Sequence, residues 1–108
     1  MIKPSKVVFI SDELEKDFNE LEEDDFIKKG ITRAIQDLKE NAFYGIQVPK
    51  RIIPKEYIQK YNVKNLWKYD LPKGWRLLYT ITADNEVELI SAILEWSDHK
   101  GYERRFKY

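Results

Sequence analysis

Residues 66–82 read LWKYDLPKGWRLLYTIT, and residues 86–96 follow with EVELISAILEW. Both stretches are rich in β-branched and aromatic residues, and their pattern has the period of two that is typical of strands. Pro72 and Gly74 interrupt the first stretch in the manner of a tight turn, and Asp84-Asn85 separates it from the second. We therefore predict three consecutive strands, at residues 66–69, 75–82 and 86–96, that form an antiparallel meander.

The residues before the meander predict one strand followed by two helices. Residues 6–10, KVVFI, have the composition of a short strand. Ser11 and the acidic residues after it are typical of a helix N-terminus, and the acidic run 22–25 is suited to cap a second helix. Apolar residues recur at helical spacing on both sides of that run. The expected buried positions are Leu14, Phe18, Leu21, Phe26, Ile27, Ile31, Ile35 and Leu38.

Residues 41–65 show no clear periodicity, and Gly45, Pro49 and Pro54 punctuate them. Pro54 is suited to begin a short helix that runs to Tyr61. The whole chain predicts an α+β fold: an N-terminal strand, an antiparallel helical hairpin and a three-stranded antiparallel meander. We expect both helices on one sheet face and the other face open. With 108 residues, the chain is expected to form a single domain, residues 1–108.

Composition excludes several classes of site. The chain has no cysteine and one histidine, His99, so disulfides, thiolate metal sites and cysteine nucleophiles are excluded, and no metal or cofactor is expected. No stretch is apolar enough for a membrane span or a signal peptide, so we expect a cytoplasmic protein without a membrane partner. The charges of nineteen basic and nineteen acidic residues cancel over the whole chain. Residues 1–40 contain seven basic and eleven acidic residues, which predicts a more basic C-terminal half.

Residues 74–81, GWRLLYTI, followed by a turn, an apolar strand and a basic tail with His99 and Tyr102, resemble the RelE/ParE superfamily of type II toxins. The predicted order of elements is similar to that family as well: a strand, a helical hairpin, a meander and a catalytic tail. The resemblance covers most of the chain, with the region 46–63 longer than in a typical member. It implies a RelE/ParE-like domain of the RelE-like mRNA interferase branch.

The resemblance implies a metal-independent endoribonuclease that cleaves mRNA, in association with the ribosome, by attack of a ribose 2′-hydroxyl on the adjacent phosphate. This reaction needs a base, an acid and cations that stabilise the phosphorane. Arg76 matches the strand arginine that steadies the phosphate, and Lys68 matches the first of two lysines on the preceding strand. Tyr102 matches the C-terminal aromatic residue, and His99 lies near a position that holds histidine in some members.

The expected catalytic residues are therefore Lys68, Arg76, His99 and Tyr102, and the expected RNA-binding residues are Lys73, Lys100, Arg104 and Arg105. The implied partners are a cognate antitoxin protein, in a toxin–antitoxin hetero-oligomer, and mRNA on the ribosome.

The chain departs from the family pattern at Asp70, where RelE-like members have the second strand lysine. An acidic side chain there would repel phosphate, so we expect Asp70 either to pair with Lys73 or to serve as a base. Arg76 in turn either contacts phosphate or pairs with a strand carboxylate such as Glu88.

A second function therefore stays open, that of a non-catalytic binding module or a ParE-like gyrase inhibitor on the same fold. The pair His99 and Tyr102 favours the nuclease, because a pure binder needs no proton-transfer groups. Asp70 favours the binder. The three tryptophans are expected to pack in the core.

Overall fold

A computed structural model describes residues 2–83 and 88–98 of the chain, and these residues form an α+β fold. Three α-helices and a five-stranded mixed sheet are present in this part of the chain. The elements are β1 (Ser5–Phe9), α1 (Asp12–Glu20), α2 (Phe26–Glu40), β2 (Ile46–Val48), α3 (Lys55–Tyr61), β3 (Leu66–Asp70), β4 (Arg76–Ala83) and β5 (Leu89–Ser97). Single 3₁₀ turns lie at Lys50–Ile52 and Pro72–Gly74.

The strands lie in the order β1-β5-β4-β3-β2. Strands β3, β4 and β5 pair antiparallel in sequence order, which is the meander that the period of two predicts. Two features of the sheet were not predicted. β1 pairs parallel to β5, and the three-residue strand β2 adds a further edge beside β3.

Helices α1 and α2 pack on one face of the sheet. Ser11 caps α1 by accepting a 3.1 Å hydrogen bond from the Leu14 amide, and Asp25 caps α2 through the Ile27 amide at 2.8 Å. All the apolar positions predicted to face the core lie in or against one cluster with sheet residues such as Leu77 and Tyr79. The three tryptophans, Trp67, Trp75 and Trp96, also pack against this cluster, as expected.

The two predicted helices do share one face, but the opposite face is partly covered by the third helix, α3, which corrects the prediction that this face is open. A second buried cluster joins α3 to the sheet, with Tyr57 and Val63 packed against Leu66, Leu78 and Leu94. These three leucines give the sheet a second apolar face, and burying such a face stabilises the fold.

Residues at each end of helix α3 determine where it begins and ends. Pro54 lies at its N-cap position, close to the start expected from the sequence, and Asn62 ends it in the left-handed conformation with φ 54°. Among the described residues, no helix has the length and apolar character that crossing a membrane requires.

Candidate functional site

A group of charged side chains occupies the end of the second sheet face, next to the cluster under α3. Alternation along β3 places Lys68 and Asp70 on the same face as Leu66. Arg76 pairs directly with Asp70, and Glu95 pairs with Leu78. We call Lys68, Asp70, Arg76 and Glu95 the polar patch.

Arg76 is held in place by several contacts at the start of β4. Its Nε lies 3.2 Å from Asp70 Oδ1, and its Nη1 donates a 3.1 Å hydrogen bond to the Gly74 carbonyl oxygen. The side chain of Arg76 is 22% exposed, whereas that of Asp70 is 64% exposed. A guanidinium fixed in this way is oriented in advance and still reaches solvent, which suits binding of an anion.

Lys68 lies between two apolar neighbours on the same face. It pairs with Ile46 of β2 on one side and with Leu78 of β4 on the other. The residue is partly buried. The strand register thus brings the two sequence-predicted cations, Lys68 and Arg76, onto one face of adjacent strands.

Glu95 adds a carboxylate to the patch and receives a hydrogen bond from α3. The Tyr57 hydroxyl donates to Glu95 Oε1, which joins α3 to β5 at the border of the patch. Sequence reasoning missed both residues, because they lie far apart in the chain and Tyr57 belongs to a segment without periodicity. A polar residue in a predicted strand core, such as Glu95, was the one available signal.

The partners of Asp70 and Lys73 differ from those expected. Asp70 pairs with Arg76 rather than with Lys73, so Arg76 does pair with a strand carboxylate, which is Asp70 of β3. Lys73 lies in the turn with φ 59°, and its Nζ is 4.2 Å from the centre of the Phe26 ring. Phe26 packs with the core on the helical face, so this turn directs Lys73 away from the polar patch.

The remaining predicted site residues lie outside the described residues. They are His99, Lys100, Tyr102, Arg104 and Arg105. Strand β5 ends at Ser97, which pairs with Arg76 of the polar patch.

A buried tyrosine fixes the segment that borders Lys68. The Tyr79 hydroxyl donates a 2.8 Å hydrogen bond to the Ala42 carbonyl oxygen and accepts a 3.0 Å hydrogen bond from the Gly45 amide. Burial raises the pKa of Tyr79 to about 12, so the hydroxyl keeps its proton at neutral pH. Gly45 fits closely here, because a Cβ on it would lie 2.4 Å from the Lys68 carbonyl oxygen.

The polar patch contains two cations and two carboxylates, and it can bind an anion through the cations and accept a proton on a carboxylate. Within the described ranges, no three His, Asp or Glu side chains are grouped so as to hold a metal ion. Comparison with protein-family models, with curated proteins and with solved structures finds no match to this chain.

Proposed function

We propose that this chain is a RelE/ParE-like toxin domain that cleaves mRNA on the ribosome without a metal, and that the polar patch is its active site. The observation that carries the proposal is the shared face of Lys68 and Arg76, beside the strand end that leads to His99 and Tyr102. Lys68 and Arg76 are two of the four residues that the resemblance associates with cleavage.

The arrangement of elements supports the proposal. The chain runs from a strand through two helices on one sheet face into three strands that pair antiparallel in sequence order. We propose that this is the RelE/ParE-like topology, with α1 and α2 as its helical hairpin. The additions are β2 and α3, and both fall in or next to the region 46–63 that is longer than in a typical member.

In the proposed reaction, Arg76 and Lys68 stabilise the negative charge of the phosphorane. The attacking 2′-hydroxyl loses its proton to a base, and the leaving 5′-oxygen gains a proton from an acid. We assign this proton transfer to His99 and Tyr102, which follow the end of β5 by two and five residues. An extended chain advances about 3.3 Å per residue, so both are close enough in sequence to reach the patch.

The carboxylates have defined roles in this proposal. Asp70 holds the Arg76 guanidinium when no RNA is bound and competes with phosphate for it. Glu95 lies one strand away on the same face and is a further candidate for the base.

The partners follow from the same proposal. A cognate antitoxin would bind the chain in a hetero-oligomer and cover the polar patch, and mRNA on the ribosome would be the substrate, in the cytoplasm. RNA-binding roles for Lys73, Lys100, Arg104 and Arg105 are part of the proposal, with Lys73 reaching RNA only if it leaves the Phe26 ring.

A second candidate is a non-catalytic binding module, including a gyrase inhibitor of the ParE kind. The ion pair between Arg76 and Asp70 favours it, because a paired arginine contributes less positive charge to a phosphate site. The two cations and two carboxylates of the polar patch also sum to no net charge.

The test is cleavage of a defined message by the purified chain on translating ribosomes, with cut sites mapped by primer extension. We expect cleavage by the wild type and a rate roughly 100-fold or more lower for Arg76→Ala, the scale of losing one contact to developing charge. Lys39→Ala is the matched control, because Lys39 is an exposed cation on α2 away from the patch.

If the wild type cuts no message while it blocks DNA supercoiling by gyrase, the second candidate replaces the nuclease. Equal cleavage by wild type and Arg76→Ala would remove the polar patch from the mechanism.

A further inference from the structure

A cleft of about 490 Å³ lies at the edge of β3, where β2 no longer covers it. β2 pairs with β3 only as far as Lys68, opposite Ile46, whereas β3 continues to Asp70. Helix α2 and the segment 44–46 form the other walls of the cleft. Its volume falls in the range of roughly 300–1,000 Å³ that is usual for sites of small ligands.

One wall of the cleft is aromatic. The rings of Tyr44 and Tyr69 lie 5.5 Å apart at an angle of 31°, and Tyr44 is 57% exposed. Tyr69 is buried, and its hydroxyl donates a 2.5 Å hydrogen bond to Asp37 Oδ2. Because Tyr69 is fixed in this way, Tyr44 rests on a rigid support and presents an aromatic surface that a planar ligand can stack on.

Two cations line the same cleft from different elements. Arg33 belongs to α2 and Lys68 to β3. In residues 2–83 and 88–98, no carboxylate lies within salt-bridge distance of Arg33. Asp70 is the acidic residue among those that line the cleft, and its carboxylate is 3.2 Å from Arg76 Nε. The cleft therefore combines an aromatic surface with a net positive charge.

We propose that this cleft binds a nucleotide of single-stranded RNA next to the scissile phosphate, with its base on Tyr44 and its phosphate near Arg33 and Lys68. Stacking of bases on aromatic side chains and neutralisation of phosphates by cations are the two interactions that single strands use. The inference rests on the proposed function, because Lys68 belongs to both the polar patch and the cleft. Lys68 and Asp70 both line the cleft, and Asp70 pairs directly with Arg76, so the cleft begins beside the polar patch.

This placement also distinguishes single strands from duplexes. A base can stack on Tyr44 only when it is unpaired and free to turn out of its own stack. The site thus selects an unpaired segment, and it does so through Tyr44 and Arg33, which carry no proton-transfer role in the proposed reaction.

The test measures binding without cleavage. The probe is a short single-stranded 2′-O-methyl oligonucleotide of mixed sequence, which lacks the attacking hydroxyl, and the readout is fluorescence anisotropy at several salt concentrations. We expect Tyr44→Ala to weaken binding by about 10-fold and Tyr44→Phe to keep it, since only the first removes the ring. Arg33→Gln is expected to weaken binding and to lower the salt dependence by about one phosphate contact.

Lys39→Gln is the matched control for Arg33→Gln, because Lys39 lies on the same helix and does not line the cleft. We expect it to bind as the wild type does, and we expect a duplex of the same sequence to bind more weakly. Thermal unfolding of each variant checks that the fold is kept, which the exposure of Tyr44 favours.

The proposal is overturned if the wild type does not bind the probe, or if Tyr44→Ala and Arg33→Gln both bind it as tightly as the wild type. Failure of the proposed function gives a different result. In that case no message is cut, or Arg76→Ala cuts as well as the wild type, while the Tyr44 and Arg33 effects on probe binding persist. If Arg76→Ala loses cleavage while the Tyr44 and Arg33 variants bind the probe as tightly as the wild type, the binding role of the cleft is rejected and the proposed function is kept.

Discussion

Arg76 Nε lies 3.2 Å from Asp70 Oδ1, across the directly paired ends of β4 and β3. The guanidinium that the proposed reaction needs is therefore oriented by a carboxylate that a phosphate must displace or outweigh. The effect of Asp70 can therefore be measured as the strength of anion binding at Arg76.

Asp70→Asn is expected to strengthen RNA binding several-fold, because it removes one negative charge beside Arg76 and keeps the shape of the side chain. The gain should shrink as salt is added. Since Asp70 is largely exposed, we expect the free energy of unfolding to change by no more than about 1 kcal/mol. Anisotropy titrations with the non-cleavable oligonucleotide measure the first effect, and urea denaturation measures the second. Weaker binding by Asp70→Asn would contradict a competing role for Asp70.

His99→Ala and Tyr102→Ala are each expected to slow cleavage by about 100-fold or more, the scale of losing one proton-transfer group. Single-turnover cleavage on translating ribosomes measures the rate. We expect thermal unfolding to change little, because substitutions at surface positions have small effects and both residues are expected at the surface. If both variants cut as fast as the wild type, the proton transfer belongs to other groups, and Glu95→Gln becomes the variant to test.

The long periodic segments of the fold could be predicted from the sequence, and the short ones could not. Helix α2 spans fifteen residues, enough for the apolar residues of its buried face to recur over several turns. β2 has three residues and α3 has seven, too few for a period to stand out from chance. The second sheet face is covered by one of these short elements, so its covering could not be predicted either. A seven-residue helix is marginally stable alone and is stabilised by packing on the sheet.

The candidate site also has a part that could be predicted from the sequence and a part that could not. That Lys68 and Arg76 share a face follows from alternation along two strands joined by a short turn, which is local information. The hydrogen bond of Tyr57 to Glu95 joins residues 38 positions apart, and no local pattern indicates it. Lys73 was expected to pair with Asp70 from its nearness in sequence. Its backbone conformation in the turn, with φ 59°, instead places it over Phe26.

The helical face of the core gives a prediction about stability. Ile31→Ala is expected to lower the free energy of unfolding by about 2 to 5 kcal/mol, because Ile31 is fully buried against the sheet and the substitution leaves a cavity. Ile58→Ala is the matched control. Ile58 is 46% exposed on α3, so its loss should cost no more than about 0.5 kcal/mol. Chemical denaturation measures both, and equal losses would show that the helix faces are assigned incorrectly.

Tyr57→Phe tests the attachment of α3 to the polar patch. The substitution keeps the buried ring and removes the hydroxyl that donates to Glu95, so we expect a loss of about 1 to 3 kcal/mol in unfolding free energy. The double variant with Glu95→Ala should lose less than the sum of the two single variants, because Tyr57→Phe removes the donor and Glu95→Ala removes the acceptor of the same hydrogen bond. Strictly additive losses in that cycle would mean that Tyr57 and Glu95 do not interact.

The buried tyrosines predict how stability depends on alkaline pH. Burial raises the pKa of Tyr79 to about 12 from its ordinary value of 10.0. Burial, together with the hydrogen bond to Asp37, raises the pKa of Tyr69 well above its usual range. In both cases the folded state holds a proton that the unfolded chain releases at lower pH.

The stabilisation that results from these raised pKa values is fully present below pH 10. It is lost as the pH rises through the pKa values of the folded state. Between about pH 10 and 12, each such tyrosine should lower the unfolding free energy by up to ~1.4 kcal/mol per pH unit. Tyr79→Phe should make the fall of the unfolding free energy with pH shallower, because one titrating hydroxyl is removed. This holds whatever the substitution does to stability at neutral pH. Tyr44→Phe, which changes an exposed ring, is the control and should leave the slope as it is. Urea denaturation across this pH range measures the slopes, and identical slopes for wild type and Tyr79→Phe would show that the Tyr79 hydroxyl is not buried as described.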